Sequence, residues 1–213
     1  MKTEVNLYQF EHELWNGEIE FVAGVDEVGR GPLIGPVVTA CVILPHDFVL
    51  EGLTDSKKLT EKKREKFYQY IMDHALSVSI GMKSAEVIDE VNIYEATKLA
   101  MYEAIEKSTI KPEHVLIDAM RLENLEMPST SIIKGDAKSI SIAAASVIAK
   151  VTRDRMMIEL DKKYPAYGFK SHKGYPTKKH VEAIMKYGLI DGYRKTFKPI
   201  STILEKEVVD SSR

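Results

Sequence analysis

Cysteine is almost missing from this chain: Cys41 stands alone among 213 residues. An internal disulfide is excluded, and with it a fold held together by sulfur staples. Cys41 lies in the apolar stretch 37–44, where a lone cysteine behaves as a small buried hydrophobe. The six histidines are dispersed, and none falls into a Cys/His zinc spacing. No apolar run approaches the roughly 20 residues of a membrane span, and the first residues are polar and acidic rather than leader-like. Together with the single thiol, this suits a reducing cytoplasm and no membrane association. Excess charge is lacking too. A formal net charge of −2 excludes a uniformly basic nucleic-acid binder, but not a basic face set against an acidic pocket. Internal repeats, low-complexity tracts and linkers are absent, and no stripe suggests oligomerisation, so a monomer is expected.

What is present is one ordinary globular composition, 44% hydrophobic and 29% charged, long enough to bury a substantial core. Leu7, Phe10, Leu14 and Trp15 are spaced for a short amphipathic helix within 3–16. Residues 20–28 and 35–44 read as two strands of a hairpin, joined by a Gly- and Pro-rich link that cannot continue a strand. A charged helix is expected over 60–74 and a third strand over 75–83. Ser84 and Asn92 are placed to cap a short helix and then a longer one to about 107. Strands come next at 115–118 and 130–134, then a long helix over 137–163, an irregular loop, and a helix over 177–187. This order predicts an α/β fold with a mixed central sheet flanked by helices on both faces. The expected division is a helical leader 1–19, a main domain 20–203 and a loosely ordered tail 204–213.

Four acids stand where apolar strands end. Asp26 and Glu27 follow 21–25, Asp118 follows 115–117, and Asp136 follows 131–135. Buried carboxylates are costly unless their charge is compensated. Carboxylates converging on one point suit divalent cations. Each acid has a plainer reading. Neighbours on a regular strand face opposite ways, so Asp26 and Glu27 share a site only if the strand ends or bulges there; otherwise they are exposed turn acids. Asp118 reads equally as a solvated loop residue, and Asp136 as the N-cap of the helix expected from 137.

Gly29, Arg30 and Gly31 bring backbone amides and a guanidinium beside the acidic pair, a combination suited to phosphate. Lys57, in Thr54-Asp55-Ser56-Lys57-Lys58, reads either as a phosphate contact or as a solvated lysine at a capped helix start. Lys170, His172, Lys173, Tyr175, Lys178, Lys179 and His180 form a basic stretch with an aromatic, fit to grip a nucleic-acid backbone or to serve as a polar surface loop.

Six segments in order carry a resemblance: Gly24-Val25-Asp26-Glu27-Val28-Gly29-Arg30-Gly31-Pro32, Asp55-Ser56-Lys57-Lys58-Leu59, Ile117-Asp118, Lys134-Gly135-Asp136, Ala144-Ala145-Ser146-Val147-Ile148-Ala149-Lys150-Val151-Thr152-Arg153-Asp154-Arg155, and His172-Lys173-Gly174-Tyr175. Across about 20–200 the chain resembles bacterial ribonuclease HII. The sister family, ribonuclease HIII, usually departs from Gly-Arg-Gly and carries an extra N-terminal domain.

The resemblance implies a ribonuclease H-like fold. It implies an endonuclease that cuts the RNA strand of RNA/DNA hybrids and nicks duplex DNA 5′ of a lone ribonucleotide, leaving 3′-hydroxyl and 5′-phosphate ends. It implies two Mg²⁺ or Mn²⁺ ions on Asp26, Glu27, Asp118 and Asp136. Junction sensing falls to Gly29, Arg30 and Gly31, a sugar contact to Tyr175, and a phosphate contact to Lys57. The competing readings are a DNA-only nuclease on a related scaffold, which needs no 2′-OH sensor, and a hybrid-binding module without catalysis.

Overall fold

The computed structural model describes residues 6–211. Five strands form one sheet in the order β3-β2-β1-β4-β5: β1 Val22–Val28, β2 Val37–Ile43, β3 Ser77–Lys83, β4 His114–Asp118 and β5 Ser129–Ile132. The first three are antiparallel neighbours, β1 and β2 joined by the loop 29–36 and β2 and β3 by a longer segment that contains a helix. β4 and β5 run parallel to β1, which requires a crossover, supplied between β3 and β4 by helix α3 (Ala85–Glu106). The mixed sheet expected from the sequence is thus present.

Alternation along the strands separates two cores. Val28, Val38, Ala40 and Val42 face helix α4 (Ile140–Lys163) and helix α2 (Glu61–His74). Ala23, Val25, Cys41 and Ile43 face α3, through Met101, Ala104 and Ile105. Cys41 is fully buried, and that burial pushes its thiol up to about 12, so it is inert packing. Gly24 has a specific job: a side chain there would overlap the Ser141–Ile142 backbone, so glycine lets the start of α4 lie directly on β1.

Local signals set several boundaries. Thr60 caps α2 through Lys63 N, and Ser84 caps α3 through Val87 N. Asn92 (φ 70°) breaks α3 and re-caps it, its Oδ1 accepting from the Tyr94 and Glu95 amides. The short and long helices expected there are both present, separated by the non-helical Asn92. The expected N-terminal helix is α1 (Gln9–Trp15), and residues 3–5 lie outside the described residues. Glu11 of α1 is fully buried; its Oε1 accepts from Ser139 Oγ and Ser141 N, which satisfies donors at the start of α4. Helix α5 (Phe169–His172) and helix α6 (Lys178–Tyr187) come later in the chain. Helix α7 (Ile200–Ser211) runs across the expected domain end at 203, with Ile200, Ile203 and Leu204 packed against the Tyr167–Phe169 region; 212–213 lie outside the described residues. No helix among the described residues is long and apolar enough to cross a membrane.

Candidate active site

β1 pairs with β2 through Val28, but its ladder with β4 stops at Val25–Ile117. Asp26, Glu27 and Asp118 sit at that stop. The strand therefore neither ends nor bulges at the acidic pair, contrary to the condition set by strand alternation. Instead one of its two neighbours ends. Alternation puts Asp26 on the α4 face with Val28, and Glu27 on the α3 face. With the β1–β4 ladder stopped at Ile117, the longer Glu27 side chain can come round the open edge. One carboxylate oxygen each from Asp26, Glu27 and Asp118 lie within 4.8 Å of one another.

Asp136 is held differently. It occupies a 3₁₀ turn, Gly135–Ala137, entered through Lys134 in the left-handed region (φ 58°). Asp118 Oδ1 accepts from Gly135 N at 2.6 Å and so ties the turn to the end of β4. The helix expected from 137 starts at Ile140, and its cap is Ser139, whose Oγ accepts from Ile142 N. Asp136 is thus not the N-cap. It lies outside the 4.8 Å triad, but close enough for its charge to act on Asp26. Asp55 is near enough for its charge to raise the Asp136 pKa, and Asp55 Oδ1 accepts from Lys57 N at 2.9 Å.

The electrostatics record crowding. Burial, then the charges of Glu27 and Asp118, hold the Asp26 carboxyl well above its usual range, opposed in part by a 2.7 Å hydrogen bond from Glu27 N. Burial also raises Glu27, although Arg30, 3.5 Å away, pulls it down. Burial, Asp55 and Asp118 raise Asp136. Burial of the Lys57 ammonium opposes its charge, but the fields of Asp26, Asp55, Asp136 and Glu27 outweigh it and its pKa rises. Glu27 Oε2 is buried without any hydrogen-bond partner. Hard oxygen donors, mutual repulsion and an orphaned carboxylate oxygen fit a divalent cation.

The Gly29–Gly31 turn adjoins this corner. Gly29 has φ 93°, a conformation suited to glycine, and a side chain there would strike the Arg153 guanidinium and the Pro36 carbonyl. The Tyr175 ring lies against Gly31, at ordinary contact distance from where a Cβ would stand, and is 38% exposed. The basic stretch around it divides. Lys170, Lys178 and Lys179 are exposed, whereas His180 is fully buried and stacks on His172 at 4.2 Å. Burial lowers His180 to about 4, so it is a neutral internal group, hydrogen-bonded to Tyr175 O and the Tyr193 hydroxyl, rather than part of a basic surface.

Several residues at this site carry no signal in isolation. Arg64 donates to the carbonyls of Ser56 and Leu59, and Ser146 Oγ bonds Ser56 Oγ at 2.7 Å, which together seat the 55–59 segment beside the acids. Ser146 and Arg153 belong to the long ordered motif on α4, which marks them without assigning them tasks. Arg194 lies in no such motif.

Comparison with known proteins agrees with this geometry. The family model described as ribonuclease HII matches residues 23–200. A ribonuclease HII of Bacillus mycoides (strain KBAB4) is 57% identical over 202 residues, covering 95% of this chain and 78% of the relative. The crystal structure of ribonuclease H2 from Pyrococcus horikoshii OT3 superposes with a TM-score of 0.75 at 30% identity, over 87% of this chain and 98% of that one. The ribonuclease HII of an Archaeoglobus fulgidus complex with PCNA gives a TM-score of 0.73 at 28% identity, over 84% and 95%. With its ribonuclease H-like sheet and acidic corner, the chain belongs to the ribonuclease HII family and is a ribonuclease H nuclease.

Proposed function

We propose that this nuclease cuts the RNA strand of RNA/DNA hybrids and also nicks duplex DNA 5′ of a single embedded ribonucleotide, leaving 3′-hydroxyl and 5′-phosphate ends. Asp26, Glu27, Asp118 and Asp136 are its metal-binding carboxylates, for two ions of Mg²⁺ or Mn²⁺. When bound, such ions neutralise the scissile phosphate and make a water more acidic. The four carboxylates would hold and orient that centre, with Asp136 near enough for its charge to act on Asp26. Lys57, its charge reinforced by the same acids, takes a substrate phosphate. No serine or cysteine nucleophile is required.

Ribose selectivity needs a group that feels the 2′-OH. The backbone of Gly29, Arg30 and Gly31 supplies it, and Tyr175 packs on the neighbouring sugar. The observation that carries this reading is adjacency: a ring against Gly31, two residues beyond a glycine that directly follows the β1 strand of the acids. Exposed lysines 178 and 179 add salt-sensitive affinity. The protein acts alone, as a cytoplasmic monomer on nucleic acid.

A direct experiment compares a fluorescent duplex carrying one ribonucleotide with its all-DNA twin, with and without Mg²⁺. Cleavage only of the first, only with the ion, on the 5′ side of the ribonucleotide is expected. Equal cleavage of the all-DNA duplex points to a DNA nuclease, and binding without cleavage points to a non-catalytic hybrid binder.

A further inference from the structure

The loop 29–36 turns its carbonyls inward, away from water, and two arginines meet them. Arg153 and Arg194 are both fully buried, and neither has a carboxylate within ion-pair distance among the described residues. A buried cation without a counter-ion is costly unless oxygens surround it. Arg194 donates through Nη2 to Gly29 O at 2.6 Å, through Nη1 to Arg30 O at 3.0 Å, and through Nε and Nη2 to Gly35 O at 3.1 and 2.9 Å. Arg153 donates to Ile34 O and Pro36 O at 3.1 Å and to Lys173 O at 2.9 Å, thereby joining the loop to the turn that carries Tyr175. The main chain adds Leu33 N to Gly174 O, Gly35 N to Gly192 O and Arg194 N to Leu33 O.

In a trans peptide the C=O and the next N–H point to opposite sides. Holding the carbonyls of Gly29 and Arg30 from the inside therefore turns the amides of Arg30 and Gly31 outward. Both residues are exposed, and among the described residues neither amide has a protein acceptor. We propose that Arg194 is a positioning residue for ribose recognition, with Arg153 as a second clamp: it fixes two peptide planes so that the Arg30 and Gly31 amides stand as a preset pair of donors beside Tyr175. This rests on the ribonucleotide reading above and names the device that orients its sensor. Lysine cannot replace this arginine. The planar guanidinium spans three carbonyls with donors in a fixed fork, whereas an ammonium is a single point.

The test uses Arg194→Lys in the full chain, measured well below its melting temperature, with Mn²⁺ affinity as a control on the carboxylates. Expected is a properly folded protein that binds Mn²⁺ like wild type but loses roughly 30-fold in kcat/KM on the one-ribonucleotide duplex. Activity within twofold of wild type, or parallel loss of Mn²⁺ binding and cleavage, overturns the assignment. A second measurement needs no variant. In wild type with Ca²⁺ in place of the active ion, hydrogen exchange at the Arg30 and Gly31 amides is fast when free. It slows on the one-ribonucleotide duplex and stays fast on the all-DNA twin. Slow exchange in the free protein, or no slowing on the ribonucleotide duplex, overturns it equally. If wild type itself fails to cut that duplex, the parent reading falls instead, which separates the two failures.

Discussion

The acidic corner and the loop beside it solve opposite problems. At the corner, three carboxylates crowd within 4.8 Å, Glu27 Oε2 is left without a partner, and burial with mutual repulsion raises Asp26, Glu27 and Asp136. In the loop, the carbonyls of Gly29, Arg30, Ile34, Gly35 and Pro36 are all bonded by two buried guanidinium groups. One region holds like charges against one another, a repulsion that a divalent cation would relieve. The other is finished in advance, and it leaves only outward-facing groups unsatisfied. A metal-dependent centre gains from the first arrangement, because the repulsion is relieved only by its ions. A recognition element gains from the second, because a preset geometry spends no ordering entropy on binding.

Substitutions separate the two regions. Asp118→Asn removes a carboxylate from the triad and the charge that anchors Gly135 N. The expected outcome is loss of cleavage by about three orders of magnitude or more on every substrate, with an intact circular-dichroism spectrum. Wild-type turnover by the folded variant refutes the assignment of the corner. Tyr175→Ala, at a half-exposed ring, is expected to lose about 10- to 100-fold on the one-ribonucleotide duplex, while melting within a few degrees of wild type. Unchanged kinetics on that duplex remove Tyr175 from the recognition surface.

The smallest effect is on stability. Asp26, Glu27 and Asp136 have folded-state pKa values raised above those of the unfolded chain. Their contribution is therefore fully present below the unfolded carboxylate range near pH 4. It is lost as pH rises through the raised folded values. With chelator present, the melting temperature should fall across that window, and Asp26→Asn should flatten the fall and gain about 3 °C at neutral pH. A flat wild-type profile under chelator contradicts crowding at the corner.

The sequence carried the local half of this architecture. Thr60, Ser84 and Asn92 each cap the helical run directly after them, because a short polar side chain at that position acts within three residues. The acids were visible because each stands after an apolar strand. Strand alternation does not bring them together; that depends on the β1–β4 ladder stopping at Val25–Ile117, one pair short of Asp26, and only the resemblance to ribonuclease HII joins the four. Asp136 reads as a cap in the sequence because the helical pattern extends back to 137. The intervening Gly135–Ala137 turn and the cap at Ser139 depend on Asp118 and Glu11, distant in the chain. Asp55 and Arg153 lie in ordered motifs that mark them without assigning a task, and Arg194 lies in none; their roles depend on partners in other segments that no spacing rule links. His180 misleads for the same reason: its neighbours in sequence are basic, but its neighbours in space are Tyr193 and His172.

The most direct test of the corner is calorimetric titration of Mn²⁺ into the wild type and into Asp118→Asn, in two buffers of different ionisation enthalpy. Converging carboxylates, with Asp26 and Glu27 raised by burial and repulsion, predict binding to the wild type with proton release, and much weaker binding to the variant. Equal affinity in both proteins, or no binding to the wild type at millimolar Mn²⁺, contradicts a cation centre built from Asp26, Glu27 and Asp118.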